Sequence, residues 1–461
     1  MATVTTTIEL EDKITSALNA IQDSINDVEK ALKGIGDHQN DIDHFSWSTF
    51  LQNAEAAGKR MEEIGKSMSL AITAPIALLE KKMFNNAVDY EAAYTAMRKT
   101  VEGGRATEEE YRAVSDAAKE LSTQLPTGYV ELLNMAQDAG NAGVAIRQMR
   151  EFLKVYSALE YATDQHIHGT EGIKAVASFL NITDGGIWDI ERFANSLAYL
   201  GVNANTTEDE ILRMANRFAS AATLAGFSKA QIIGMAAAFE SVGIAAEAGG
   251  SSASKLIKQF QLSAEVGGRA QAITDQLVEM GMIGRGFANG MEFVNWFDAL
   301  GKSDAVDIAN ALNMTTDAIK SMGDSWLLLD QFAEVSGKTS EQFINDWSKN
   351  PAQALGDFFT GLNRLGDEGT ESVLAILDRM GLTEIRESNL IAAMATRPEM
   401  FAEMIATAIQ GYEENSSMWE QFGAQVGTQE SQNAILMDQK ITGSESLEFE
   451  ISGLSAQCPR S

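Results

Sequence analysis

Residues 206–243 read TTEDEILRMANRFASAATLAGFSKAQIIGMAAAFESVG, and this stretch decides the fold class. Thr207 stands three residues before Glu210. That spacing lets each side chain satisfy the other residue's free backbone N–H at the start of a helix. Ile211, Ala215, Phe218 and Ala222 follow on one helical face, and Gly226 supplies a stop. Ser228 and Gln231 repeat the capping device. Ile232, Met235, Phe239 and Val242 then form an apolar face that ends at Gly243. The reading is two capped amphipathic helices in succession.

The same punctuation recurs in both directions. Thr107 and Glu110 precede Tyr111, Val114 and Ala117; Thr339 and Gln342 precede Phe343 and Trp347. Asn350-Pro351 reads as a cap followed by proline at the first helical position, where its missing N–H is harmless. Only five prolines occur in 461 residues, so long stretches stay free to be helical. Gly103-Gly104, Gly185-Gly186, Gly249-Gly250, Gly267-Gly268 and the run 281–286 read as joints. Sustained two-residue alternation is confined to Val4–Leu10, which excludes a β-rich fold. The expected class is all-α, an extended array of amphipathic helices with Gly-rich joints and no fixed-period repeat.

Before this array, Ile14, Leu18, Ile21, Ile25, Val28, Leu32 and Ile35 are spaced 4, 3, 4, 3, 4, 3. That alternation makes one apolar seam, which suits either a self-associating coiled coil or one helix packing on its own chain. The coiled coil is the preferred reading. Asp37–Ser48 is polar and reads as a break, and Thr73 and Pro75 punctuate the apolar stretch Met68–Leu79. After Met437 the helical face is lost, and the end through Cys458 and Pro459 reads as disordered or atypical. The expected division is 1–45 coiled-coil helix, 46–270 core helices, 271–437 further helices and 438–461 tail.

Charge narrows the function classes. Lys and Arg total 35 and Asp and Glu total 65, a net charge of −30. Such a surface repels nucleic acid and anionic lipid, so sequence-specific nucleic-acid binding is not expected. Cys458 is the single cysteine, which rules out an intramolecular disulfide. The start MATVTTTIEL lacks a basic segment followed by an apolar one, so no signal peptide is expected. Met68–Leu79 is shorter than the roughly 20 residues that a spanning helix needs.

The sequence offers little for catalysis. His38 and His44 bracket Asp41 and Asp43, and His166 and His168 form H-x-H after Asp164. The first group has ligand types that suit a divalent ion but lies in a polar break, and the second would spread its rings around a helix. No nucleophile elbow and no phosphate-cradling glycine loop occur. Gly284, Gly286 and Gly290 give G-x-G-x-x-x-G, one residue too long for the dinucleotide fingerprint and without a preceding strand. Trp296, Phe297, Trp326, Phe332, Phe343, Trp347, Phe358 and Phe359 fall on helical faces and read as core. No catalytic, cofactor-binding or metal-binding residue is assigned, and the chain is read as a non-enzyme.

Three stretches resemble the core of the phage tail tape measure family. They are ITAPIALLEKKMFNNAVDYEAAYTAMRKTVEG (72–103), ATEEEYRAVSDAAKELSTQLP (106–126) and, most specifically, LAYLGVNANTTEDEILRMANRFASAATLAGFSKAQIIGMAAAFESVGIAAEAGGSSASKLI (197–257). The resemblance spans roughly 190 residues and is loose over 127–170. It implies a structural protein of the tail lumen, assembled in the host cytoplasm, that sets tube length and leaves ahead of the DNA. The implied partners are the tail tube protein, tail assembly chaperones and tail tip or baseplate proteins. Self-association through Ile14–Ile35 and transient contact with the host membrane complete the expected interactions. The alternative is a helical membrane-perturbing or pore-forming effector that inserts Ile72–Leu79.

Overall fold

Lys229–Ser241 shows why the chain folds as it does. The helix carries two isoleucines, Met235, Phe239 and a run of three alanines. Nine of its thirteen residues are buried, on every side of the helix. The single apolar face expected from the sequence is therefore too narrow a description. A helix that is apolar all round must be enclosed by other helices, and this one is.

The computed structural model describes residues 89–163, 166–183, 189–367 and 372–426. Within them a helical run over 89–100 is followed by eighteen α-helices, with no strand, which establishes the all-α class. The coiled-coil seam Ile14–Ile35, the stretch Met68–Leu79, the joint Gly185-Gly186 and the tail 438–461 lie outside the described residues. The described residues from 93 to 426 belong to one compact unit.

The helices run as follows. α1 (Glu108–Ser122), α2 (Tyr129–Asn141), α3 (Met149–Ala162) and α4 (Gly169–Ile182) lead into α5 (Ile190–Asn203) and α6 (Glu208–Leu224). α7 (Lys229–Ser241) is the enclosed helix, and α8 (Ala246–Leu262) passes through a π-turn at Ser263–Gly267 into α9 (Gly268–Glu279). α10 (Gly290–Asp298), α11 (Lys302–Ala311), α12 (Thr316–Val335), α13 (Ser340–Lys349) and α14 (Pro351–Asp367) follow. α15 (Val373–Arg379), α16 (Ile385–Thr396), α17 (Pro398–Glu414) and α18 (Ser417–Val426) complete the order.

All four capping boxes read from the sequence are formed. Thr107 with Glu110, Thr207 with Glu210, Ser228 with Gln231 and Thr339 with Gln342 exchange their side-chain and backbone hydrogen bonds at the starts of α1, α6, α7 and α13. Asn350 accepts from Gln353 N at 3.3 Å before Pro351, as the cap-proline pair predicts. Gly226 and Gly243 terminate α6 and α7 with φ of 86° and 80°, backbone that only glycine enters without strain. Two of the expected joints differ. Gly249 and Gly250 lie buried inside α8, where they leave room for Met214 and Arg217 of α6; Gly267 and Gly268 lie in the continuous helical run of α8, the π-turn and α9.

α7 packs on α6 and α5 from its own neighbourhood in sequence and on α17 from far beyond it. The crossings with α17 are close because glycine stands at each. A Cβ on Gly234 would lie 2.7 Å from Ile405 Cα, and one on Gly411 would lie 2.7 Å from Tyr199 Cβ. α17 thus sits between α7 and α5, burying Phe401, Met404, Ile405 and Ala408. An aromatic cluster extends the core: Phe260 stacks on Phe332 at 3.9 Å and meets Phe343, Trp347 and Phe358 at 5.6, 5.2 and 5.2 Å. The aromatic residues expected to be core are all buried except Trp296, which is half-buried.

Candidate functional site

The H-x-H sequence lies in the turn before α4, not on a helix. Its two histidines meet different helices. His166 Nδ1 lies 3.2 Å from Glu208 Oε2, the first residue of α6. The carboxylate of Glu208 is buried against Gly201, where any side chain would collide with it. His168 occupies the cap position of α4 and acts electrostatically on Glu160 near the end of α3. Burial raises the pKa of Glu160, an effect that Gly169 N–H and His168 oppose and Glu131 reinforces. The pair fastens the turn to two helices. Among the described residues, no three His, Cys, Asp or Glu side chains converge as metal ligands. His38 and His44 lie outside the described residues.

Beside this turn runs a groove of about 900 Å³, lined by residues of α4 and α6 and by Glu247 of α8. Its cations are each matched by an acid. Lys174 pairs with Glu171 at 3.0 Å, Arg213 with Asp209 at 2.8 Å, and Arg217 with Glu247 at 3.0 Å. These pairs are largely exposed, so each contributes little stability. They cancel the local field, and the groove has no excess charge with which to select an anion. Thr170 Oγ1 donates to Asp138 Oδ2 at 2.6 Å, so this hydroxyl is tied to a carboxylate on α2. The lining provides shape and polarity more than reactivity.

Three further ionisable groups lie outside the groove. Glu240 near the end of α7 has its pKa pushed up to about 7, first by burial and then by the carboxylates of Glu210 and Glu247. Glu387 of α16 is 1% exposed, and Lys255 Nζ of α8 reaches it at 2.8 Å and Glu384 at 3.2 Å. Asp189 before α5 holds Lys229 at 3.0 Å, and that hydrogen bond is the main reason its pKa is lowered. The Lys255 and Asp189 pairs each join one helix to another, whereas Glu240 Oε1 is buried without a hydrogen-bond partner. Sequence reasoning missed all three, because a carboxylate that is buried or paired with a distant lysine looks like any other in an acidic chain. The only local hint is the placement of Glu240 beside an otherwise apolar run.

The family model for phage-related minor tail proteins matches residues 115–377, from within α1 to within α15 and more than half of the chain. No curated protein and no solved structure matches the chain. α17 and α18 lie beyond the matched residues.

Proposed function

We propose that this chain, which belongs to the phage-related minor tail protein family, is a tape measure protein. It acts by structure and not by catalysis. It occupies the tail lumen, sets the number of tube rings that stack during assembly, and leaves the tube ahead of the DNA. Its partners are the tube protein, assembly chaperones and the tail tip or baseplate.

One observation carries the reading. The family match contains the block α5–α8, and the sequence of that block, 197–257, is the part most similar to the tape measure core. The physics of the chain supports it. Capped helices punctuated by glycine can be long when drawn out, and the whole chain spans at most ~690 Å as a continuous helix. The acidic surface lets DNA pass without adhering. Among the described residues, no helix is long and apolar enough to cross a membrane; Ile72–Leu79, on which the pore-forming alternative rests, lies outside them.

In-frame deletions in the phage, with tail length measured by electron microscopy, test the proposal. Removing one heptad from 14–35 is expected to shorten the tail by about 10 Å. Removing whole helices from 290–430 separates two forms of the ruler. Proportionate shortening means that this part is drawn out in the tail; a constant length means that it is carried folded. Unchanged tails after both kinds of deletion contradict the ruler.

A further inference from the structure

α18 is attached to the molecule in an unusual way. It contacts α3 and α5 and scarcely touches α17, the helix that leads into it. Two residues, Asn415 and Ser416, join the two helices, and Asn415 is left-handed at φ 53° and ψ 34°. Asparagine tolerates that conformation, so the chain can turn away sharply here.

The docking is specific. Asn195 of α5 is fully buried and holds both sides of the joint. Its Nδ2 donates to Asn415 Oδ1 at 2.9 Å and to Glu191 O at 2.8 Å. Its Oδ1 accepts from Met418 N at 2.8 Å, so a side chain of α5 caps the start of α18. Met418 is fully buried. Trp419 Nε1 donates to Glu191 Oε1 at 2.7 Å, and Lys154 Nζ of α3 lies 5.0 Å above the indole. Phe422 meets Tyr161 of α3 edge-on at 6.5 Å. Gln421 Nε2 reaches Ala198 O at 3.1 Å.

A ten-residue helix is not stable alone in water, so α18 owes its shape to this groove. The relation is that of a helical ligand to a receptor: anchors one turn apart in a helix groove, with a cap supplied by the receptor. The receptor helices α3 and α5 lie inside the family-matched residues and the ligand lies outside them.

We propose that the α3–α5 groove is a helix-docking site, filled here by the chain's own α18, and that α18 of a second copy fills it in trans. An element fastened mainly to helices other than its neighbour, through a short turn, is the kind that copies exchange. This proposal holds whether or not the chain sets tail length.

The test uses the full chain lacking residues 417–426 and a fluorescent peptide of residues 415–426. Saturable binding to the shortened chain is expected. Binding about tenfold weaker or less is expected to the intact chain, whose groove is filled, and to the shortened chain carrying Asn195→Leu. Absence of saturable binding, or equal binding to all three, overturns the docking site. Loss of the cooperative melt in the shortened chain also overturns it, because α18 would then be core and not ligand. Exchange is read by mixing. A tagged shortened chain is expected to retrieve the Asn195→Leu chain, whose own α18 is intact, about tenfold better than it retrieves an untagged shortened chain. Both mixtures retain residues 14–35, so that seam contributes equally. Equal retrieval overturns the second copy as the occupant.

Discussion

α7 and α9 are nearly the same length, yet α7 buries nine of thirteen residues and α9 buries three of twelve. Both lie inside the family-matched residues. Around α7 the neighbours are α5, α6 and α17, with helix crossings narrowed by glycine. Around α9 the surface stays open: Val278, Met280 and Met282 are exposed, as are Met291 on α10 and Val306 on α11. The difference teaches where specification is concentrated. A helix enclosed on all sides restricts every position, whereas a helix covered on one side restricts a single stripe.

Substitution should separate the two regions. The largest effect is expected at Phe260, which gathers four other aromatic residues. Phe260→Ala should lower the unfolding free energy by about 3–5 kcal/mol in a denaturant titration. Gly234→Val comes next. It forces α7 away from α17 and should lower stability by about 2–3 kcal/mol. Gly284→Val near α9, where a new Cβ meets no atom within 4 Å, should stay within about 0.5 kcal/mol. If Gly234 and Gly284 prove equally tolerant, the close crossing does not govern the fold.

The caps give a smaller and more local contrast. Thr207→Ala breaks the box that opens α6 and should lower global stability by about 1 kcal/mol. Asn289→Ala removes the cap of α10. Its main effect should be faster amide exchange within α10, with little change in the denaturation midpoint.

Glu240 adds a pH signature to the α7 side. A carboxyl whose folded pKa is raised favours folding when protonated. Its contribution is present below about pH 4.5 and lost as pH rises through about 7. Glu240→Gln should therefore raise the melting temperature at pH 8, by about 1–3 °C. The gain should vanish near pH 4. A gain that does not depend on pH would mean that packing, not charge, limits this position.

Legibility in the sequence followed the same divide. The four capping boxes were readable because each is a local exchange between residues three apart. The stretch 197–257, where the family resemblance concentrates, turns out to be the enclosed block α5–α8. What escaped was non-local. Gly249 and Gly250 read as a joint because nothing nearby in sequence reveals that α6 presses on them. The apolar face of α7 read as one-sided because its far wall, α17, begins at Pro398. The Asn195 cap on α18 spans more than two hundred residues and leaves no local pattern. The candidate site was legible only as two histidines. Their divergence toward Glu208 and Glu160 depends on where α3 and α6 lie.

The most direct measurement is amide hydrogen exchange of the intact chain, resolved by peptide. α5, α7 and α17 should exchange last and together, through global unfolding, and α9, α10 and α11 about 100-fold faster or more. Equal protection of α7 and α9, or an α17 that exchanges as fast as α9, would contradict a fold closed around α7.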